Sequence, residues 1–209
     1  MGTKERKKRE KKARKDAILE AAKGVFFEKG LQGTTMDQIA EAAELSKGSL
    51  YLYFPGKEEL YVSILLEGLD ILYQKFSDAN TGREDWEQKL RNIALAFYSF
   101  YREQKHYFNI LFFLQHGELS SHISEELYQK CFDRGLSCLN FLSEAIQEGI
   151  HKGEIKAQDP MELSVILWGA FNGILLLYEE EEHKQFISSS LDHLIIKSFD
   201  LMMEGLKRR

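Results

Sequence analysis

Proline is almost missing from this chain: Pro55 and Pro160 are the only two in 209 residues. With so few breakers, long stretches rich in Leu, Ala, Glu, Lys and Phe run on uninterrupted, and the reading they favour is an all-α fold. Cysteine is as scarce. Cys131 and Cys138 stand seven apart inside a helical pattern, about 10.5 Å of rise, too far for a disulfide within one helix. They read as buried thiols of a cytoplasmic protein in a reducing compartment, with a thiol sensor as the alternative. There is no nucleophile elbow, phosphate-binding glycine loop or metalloprotease motif, so no residue is nominated as catalytic and no cofactor is implied. His116, Glu118 and His122 lack a fixed ligand spacing and read as a solvated loop, not a metal site. The N-terminus lacks the apolar run of a signal peptide. The longest apolar-leaning stretch, Leu163 to Tyr178, is broken by Ser164, Gly169, Asn172 and Gly173 and followed by four acids. A buried helix is expected there, not a membrane span.

What is present divides into two parts of opposite charge. Residues 1–57 hold thirteen Lys/Arg against eight Asp/Glu, and the remainder fifteen against twenty-five. A basic N-terminal quarter on an acidic body points to one module for a polyanion and another for something else. Lys4 to Lys15 alone carry nine cations and two acids. This run is expected as a solvated arm, frayed in its first half and able to neutralise phosphates. A helix comes next, with Ala17, Ile18, Ala21, Ala22, Val25 and Phe26 on one face and Gly30 at its end. Further helices are expected over Lys57–Ala79, Arg83–Glu103, Tyr107–Gln115, Ser121–Lys152, Pro160–Glu182 and Phe186–Lys207. The domain division expected is 1–57, a linking helix over 57–79, and 80–209.

The most informative stretch is Gly33 to Tyr61. Thr35-Met-Asp-Gln38 spells a capping box, opening a short helix that buries Met36, Ile39, Ala40 and Ala43. Glu44-Leu-Ser46 interrupts, and Lys47 to Phe54 makes two more turns before Pro55-Gly56. Lys47, Gly48 and Ser49 open that second helix with small or cationic groups, where a backbone can approach a duplex. Leu50 and Phe54, four apart, would anchor it, leaving Tyr51 and Tyr53 on other faces. Two short helices with a tight turn suit a recognition helix in the major groove. An αα-hairpin whose tyrosines merely pack has the same spacing.

The residues themselves go further. Thr-Thr-Met-Asp-Gln-Ile-Ala, then Ala-Glu-Leu-Ser-Lys-Gly-Ser-Leu-Tyr-x-Tyr-Phe, then Lys-Glu-Glu-Leu closely resembles the DNA-binding signature of the TetR family of bacterial transcriptional regulators. The resemblance implies an N-terminal three-helix helix-turn-helix domain plus a helical ligand-binding and dimerisation domain. It implies a repressor that binds a double-stranded, palindromic DNA operator as a homodimer and is released by a small effector, with no membrane partner. By position, Thr35 caps the first helix of the motif, and Lys47, Ser49 and Tyr51 face base edges or nearby phosphates. Tyr53 and Lys57 match phosphate-contacting positions. Leu52 sits where relatives have a polar or aromatic residue, and Gly56 where Ser is frequent.

In the acidic body, aromatic residues gather on three helical stretches. Tyr98, Tyr101, Phe108, Phe112, Phe113, Trp168, Phe171 and Asn172 are the candidate lining of a pocket for a small hydrophobic effector, and the same rings would equally make an ordinary aromatic core. Gly169-Ala-Phe-Asn-Gly173 and the set Leu191, Leu194, Ile195, Phe199, Leu201 and Met202 suit two long helices from each of two chains. The alternative, from another class, is a helical small-molecule or protein-interaction module with no role on DNA.

Overall fold

The computed structural model describes residues 2–82, 84–112 and 122–208. Among them the architecture is helices without strands, as expected: α1 (Thr3–Lys29), α2 (Met36–Ala42), α3 (Lys47–Tyr51), α4 (Lys57–Ala79), α5 (Trp86–Glu103), α6 (Lys105–Phe112), α7 (Glu125–His151), α8 (Pro160–Glu179) and α9 (Leu191–Leu206), with a 3₁₀ turn at His183–Gln185. Caps fix several starts. Asp85 accepts from the Gln88 amide at 2.8 Å, so α5 begins after it and not at Arg83. Asp159 accepts from the amides of Met161 and Glu162, with Pro160 in the first turn. Ser190 caps α9, five residues after the expected start at Phe186. Each cap satisfies amides that a helix end leaves orphaned.

The basic run is not frayed: α1 is helical from Thr3. Straight-chain Lys, Arg and Glu are good helix formers, and Arg6 pairs with Glu10 one turn later at 3.2 Å. Gly30 ends the helix at φ 66°, a conformation only glycine takes without strain.

Two compact units result, each drawn from two stretches of chain: residues 1–68 with 109–132, and 69–108 with 133–209. This differs from the continuous division expected. In the first unit, the Glu59 carboxylate accepts from the Ser124 amide and hydroxyl, both at 2.8 Å, and the Cys131 thiol donates to the Val62 carbonyl. Such long-range bonds leave no periodic trace. The first unit's core joins Ile18, Ala22 and Phe26 of α1 with Met36, Ile39 and Ala40 of α2, then Leu50, Phe54, Leu60, Tyr61 and Ile64. Ala17, expected on this face, is exposed. Phe26 meets Tyr61 edge-on at 5.0 Å.

In the second unit, α5, α7, α8 and α9 pack around the later turns of α4, burying Phe76, Leu90, Phe97, Phe100, Leu142, Ile146, Leu167, Phe171, Leu175, Ile195 and Phe199. A Cβ on Gly149 would fall 2.6 Å from Ile155 and 2.9 Å from Trp86, so that crossing requires glycine. Helix α8 is long and apolar enough to cross a membrane by length and composition. It is not simply the buried helix expected. One side, Leu163, Leu167, Phe171 and Leu175, lies in the core; the other, with Val165, Ile166, Gly169, Ala170 and Leu177, is exposed.

Candidate nucleic-acid interface

The helix pair is built by local hydrogen bonds. The Thr35 hydroxyl accepts from the Gln38 amide at 3.3 Å and the Gln38 side chain accepts from the Thr35 amide at 3.0 Å, the reciprocal box read from the sequence. The turn between α2 and α3 closes with the Leu45 amide on the Ala40 carbonyl at 2.9 Å, and Glu44 takes φ 53° to make it. Ser46 then caps α3: its hydroxyl accepts from the Ser49 amide at 3.2 Å and lies 2.8 Å from the Ser49 hydroxyl. Ahead of the pair, a Cβ on Gly33 would lie 2.4 Å from the Lys29 carbonyl oxygen, so the chain can fold back there only on glycine.

Of α3, only Leu50 is buried, with Phe54 just beyond its end. The helix is shorter than the two turns expected, stopping at Tyr51. Lys47, Gly48 and Tyr51 are exposed and Ser49 is half-buried, while nothing lies within 4 Å of where a Gly48 Cβ would stand. The Lys47 ammonium is 2.9 Å from the Asp37 carboxylate, and that hydrogen bond raises its pKa above the ordinary lysine value. Leu52 is 78% exposed and Tyr53 half-buried. Lys57 is placed differently from the others. Its ammonium donates to the carbonyls of Leu31 at 2.9 Å and Thr34 at 3.0 Å, tying the start of α4 to the α1–α2 connection. That leaves one of its three donors for anything outside.

In the second unit a small apolar void of about 20 Å³ is walled by Phe76, Leu90, Ile93, Ala94, Phe97, Leu142, Leu167, Trp168, Phe171, Phe199 and Met203. Of the sequence candidates, Trp168 and Phe171 line it. Phe108 packs edge-on against Tyr101 at 5.0 Å. The Tyr101 hydroxyl donates to Glu179, which also pairs with Lys105 at 2.9 Å, and the Tyr98 hydroxyl donates to Asp192 at 2.9 Å. Burial, then the Glu179 bond, pushes the Tyr101 phenol well above the ordinary tyrosine value. Asn172 is buried; its amide nitrogen donates to the Trp168 carbonyl at 2.8 Å, and its oxygen has no partner. The Phe112 side chain and all of Phe113 lie outside the described residues, as do His116 and Glu118. No group of His, Cys, Asp or Glu among the described residues could hold a metal ion.

The sequence profile of bacterial regulatory proteins, tetR family, matches residues 18–64, the span just described. Along most of its length the chain is similar to YhgD, an uncharacterised HTH-type transcriptional regulator of Bacillus subtilis: 28% identical over 187 residues, 88% of this chain and 95% of that one. The chain belongs to the TetR family. It is a transcriptional regulator with a DNA-binding helix-turn-helix. It is also similar to KstR2, an HTH-type transcriptional repressor of Mycobacterium tuberculosis, at 25% identity over 151 residues, 72% of this chain and 74% of that one. Among solved structures, the fatty acid degradation regulator FadR from Bacillus halodurans shares the fold with a TM-score of 0.70 at 24% identity, over 93% of this chain and 97% of that chain.

Two parts of this TetR-type site are missing from the sequence reading. There Ser46 is only part of an interruption, although a serine directly before a helical run is an N-cap signal. The anchoring of Lys57 on two carbonyls has no local signal at all, because its partners lie 26 and 23 residues away.

Proposed function

We propose that this regulator is a repressor that binds a palindromic operator as a homodimer and leaves it when a small apolar molecule enters the second unit. The observation that carries the reading is the face of α3: Lys47, Gly48 and Tyr51 stand in solvent on a helix held by Leu50 alone. A helix so short and so exposed gains little from its own core and is suited to lie in a major groove. Ser49 and Tyr51 read bases there; Lys47 exchanges Asp37 for phosphate; Gly48 lets the backbone approach; Thr35 and Tyr53 meet the flanking phosphates. Lys57 holds the α1–α2 connection in place and offers its third donor to the backbone.

Two such helices become a palindrome reader when chains pair. The exposed apolar row of α8, with Ile196 and Leu201 exposed on α9, is the surface that a second copy would cover. The repressor role is supported by the likeness to KstR2, itself named a repressor.

For the effector, the aromatic core around Phe97 and Trp168 is the site favoured. Its void is the size of a single water molecule, so entry has to part those rings. Its walls are entirely apolar side chains, which suits an acyl chain or a flat lipophilic molecule, and the unpaired Asn172 oxygen would accept one hydrogen bond from it. Effector and DNA compete if they favour different half-site separations, and α4, which belongs to both units, is the lever. The protein works in the cytoplasm; burial pushes the Cys138 thiol up to about 12, which fits an unreactive structural cysteine better than a sensor.

Selection of bound sites from random duplexes, followed by release assays with hits from a thermal-shift screen, tests this reading. A recovered inverted repeat released by apolar hits supports it. Recovery of no preferred sequence, or release only by hydrophilic sugars with Trp168→Ala without effect, contradicts it.

A further inference from the structure

The family profile begins at residue 18, whereas α1 begins at Thr3. Roughly four turns of helix therefore precede the matched module. Their register is fixed by the later turns of α1, whose buried face is Ile18, Ala22 and Phe26. Toward the N-terminus, helical spacing along that face gives Arg14, Lys11, Lys7 and Lys4. The side of α1 that packs on the helix-turn-helix thus continues, once the core runs out, as a row of exposed cations. Lys7, Glu10, Lys11 and Arg14 form one wall of an open groove whose other wall is Leu52 and Tyr53, directly after α3. The one acid in that wall, Glu10, is paired with Arg6. Behind it, the Lys15 ammonium sits 5.1 Å from the centre of the Phe54 ring and ties the extension to the end of α3.

We infer that this groove grips the sugar–phosphate backbone that flanks the bases read by α3. The inference rests on α3 reading DNA. The row from Lys4 to Arg14 covers about 15 Å, the axial run of about four phosphates on one strand. A nucleic-acid strand fits better than an anionic lipid surface. A helix seated in lipid needs an apolar face, and between Lys4 and Lys15 the sole apolar residue is Ala13. The extension adds affinity without base preference, since phosphate contacts position a protein but carry no sequence code.

The test compares the full chain with Lys4→Gln/Lys7→Gln/Lys11→Gln/Arg14→Gln on the operator recovered by selection, with and without ten flanking base pairs on each side. All four residues are exposed, and glutamine keeps helix propensity; circular-dichroism melts check the fold, and Lys7→Gln/Lys11→Gln serves should the fourfold variant melt early. On the long duplex, wild type should show a steeper dependence of affinity on salt, by about 3.6 in log–log slope per half-site for four phosphates. Between 50 and 200 mM salt it should lose about 100-fold more affinity than the variant. The base preference should be shared, and the short duplex should erase the difference. Equal slopes on the long duplex overturn the inference alone. A wild type that binds no duplex overturns the reading of α3 together with it. Equal slopes with lysine-dependent pelleting on phosphatidylglycerol–phosphatidylcholine vesicles overturn it in favour of a lipid surface.

Discussion

Replacing Ile166 with aspartate should take the protein apart into monomers without unfolding it. Ile166 is 62% exposed on the outer side of α8, beside Val165, Gly169 and Ala170. A Cβ on Gly169 or Gly173 would meet nothing within 4 Å, so this side of the helix has no neighbour in its own chain. Burying a whole isoleucine side chain stabilises by about 1.5–3 kcal/mol, and about six-tenths of that surface remains to be covered, or roughly 1–2 kcal/mol. A two-fold interface counts the residue twice, giving roughly 2–4 kcal/mol per dimer. Ile166→Ala should therefore weaken dimerisation roughly 30- to 1,000-fold. Ile166→Asp should do more, because two carboxylates would have to be desolvated against an apolar face. Sedimentation velocity over a dilution series reads the dimer constant, and thermal melts of the dissociated variant check the fold. Operator affinity should fall in step. A dimer of Ile166→Asp as tight as wild type would refute the assignment of α8 to the interface.

Removing either cap, by Thr35→Ala or Ser46→Ala, should cost about 1 kcal/mol and a few degrees of melting temperature; two unchanged melts would show that the caps do not stabilise the pair. Lys57→Ala should be costlier than a surface lysine, roughly 1.5–3 kcal/mol, because it strands the Leu31 and Thr34 carbonyls, and it should weaken binding to every duplex alike; a change confined to one base position would contradict that role. Tyr101→Phe should cost about 1–2 kcal/mol at neutral pH, with Glu179 still held by Lys105. Because the Tyr101 phenol is raised above its ordinary value of 10.0, its contribution is complete below about pH 10 and is lost as pH rises through the folded value. The variant's stability should accordingly fall less steeply above pH 10 in denaturant titrations, and an unchanged slope would count against the cause given.

The helix-turn-helix is legible because it is coded locally. The capping box, the Leu50 and Phe54 anchors and the small residues opening α3 are all read within a few positions of one another. The helical start of α1 is missed when charge repulsion is weighed above propensity, although Lys, Arg and Glu favour helix and Arg6 reaches Glu10. The second unit is legible only in outline. Trp168 and Phe171 do line the void, but most of its wall is aliphatic and comes from Leu90, Ile93, Ala94, Leu142, Leu167 and Met203. Looking for aromatic rings therefore finds a minority of it. Tyr98 and Tyr101 turn their hydroxyls to Asp192 and Glu179, 94 and 78 residues away, and no periodicity reveals partners at that distance. Helix α8 carries both its roles in the sequence, since apolar residues on all sides need two coverings, only one of which its own chain supplies.

Whether the exposed face of α3 reads bases is decided most directly by base preference, measured for wild type and Tyr51→Ala. Dissociation constants would be taken over a set of duplexes carrying every single-base change in the selected operator. Wild type should lose roughly 1–3 kcal/mol at particular positions of each half-site. Tyr51→Ala should flatten one of those positions while leaving binding to unrelated duplex unchanged. A variant weakened equally on every duplex, or a wild type indifferent to every base change, would contradict base reading by α3.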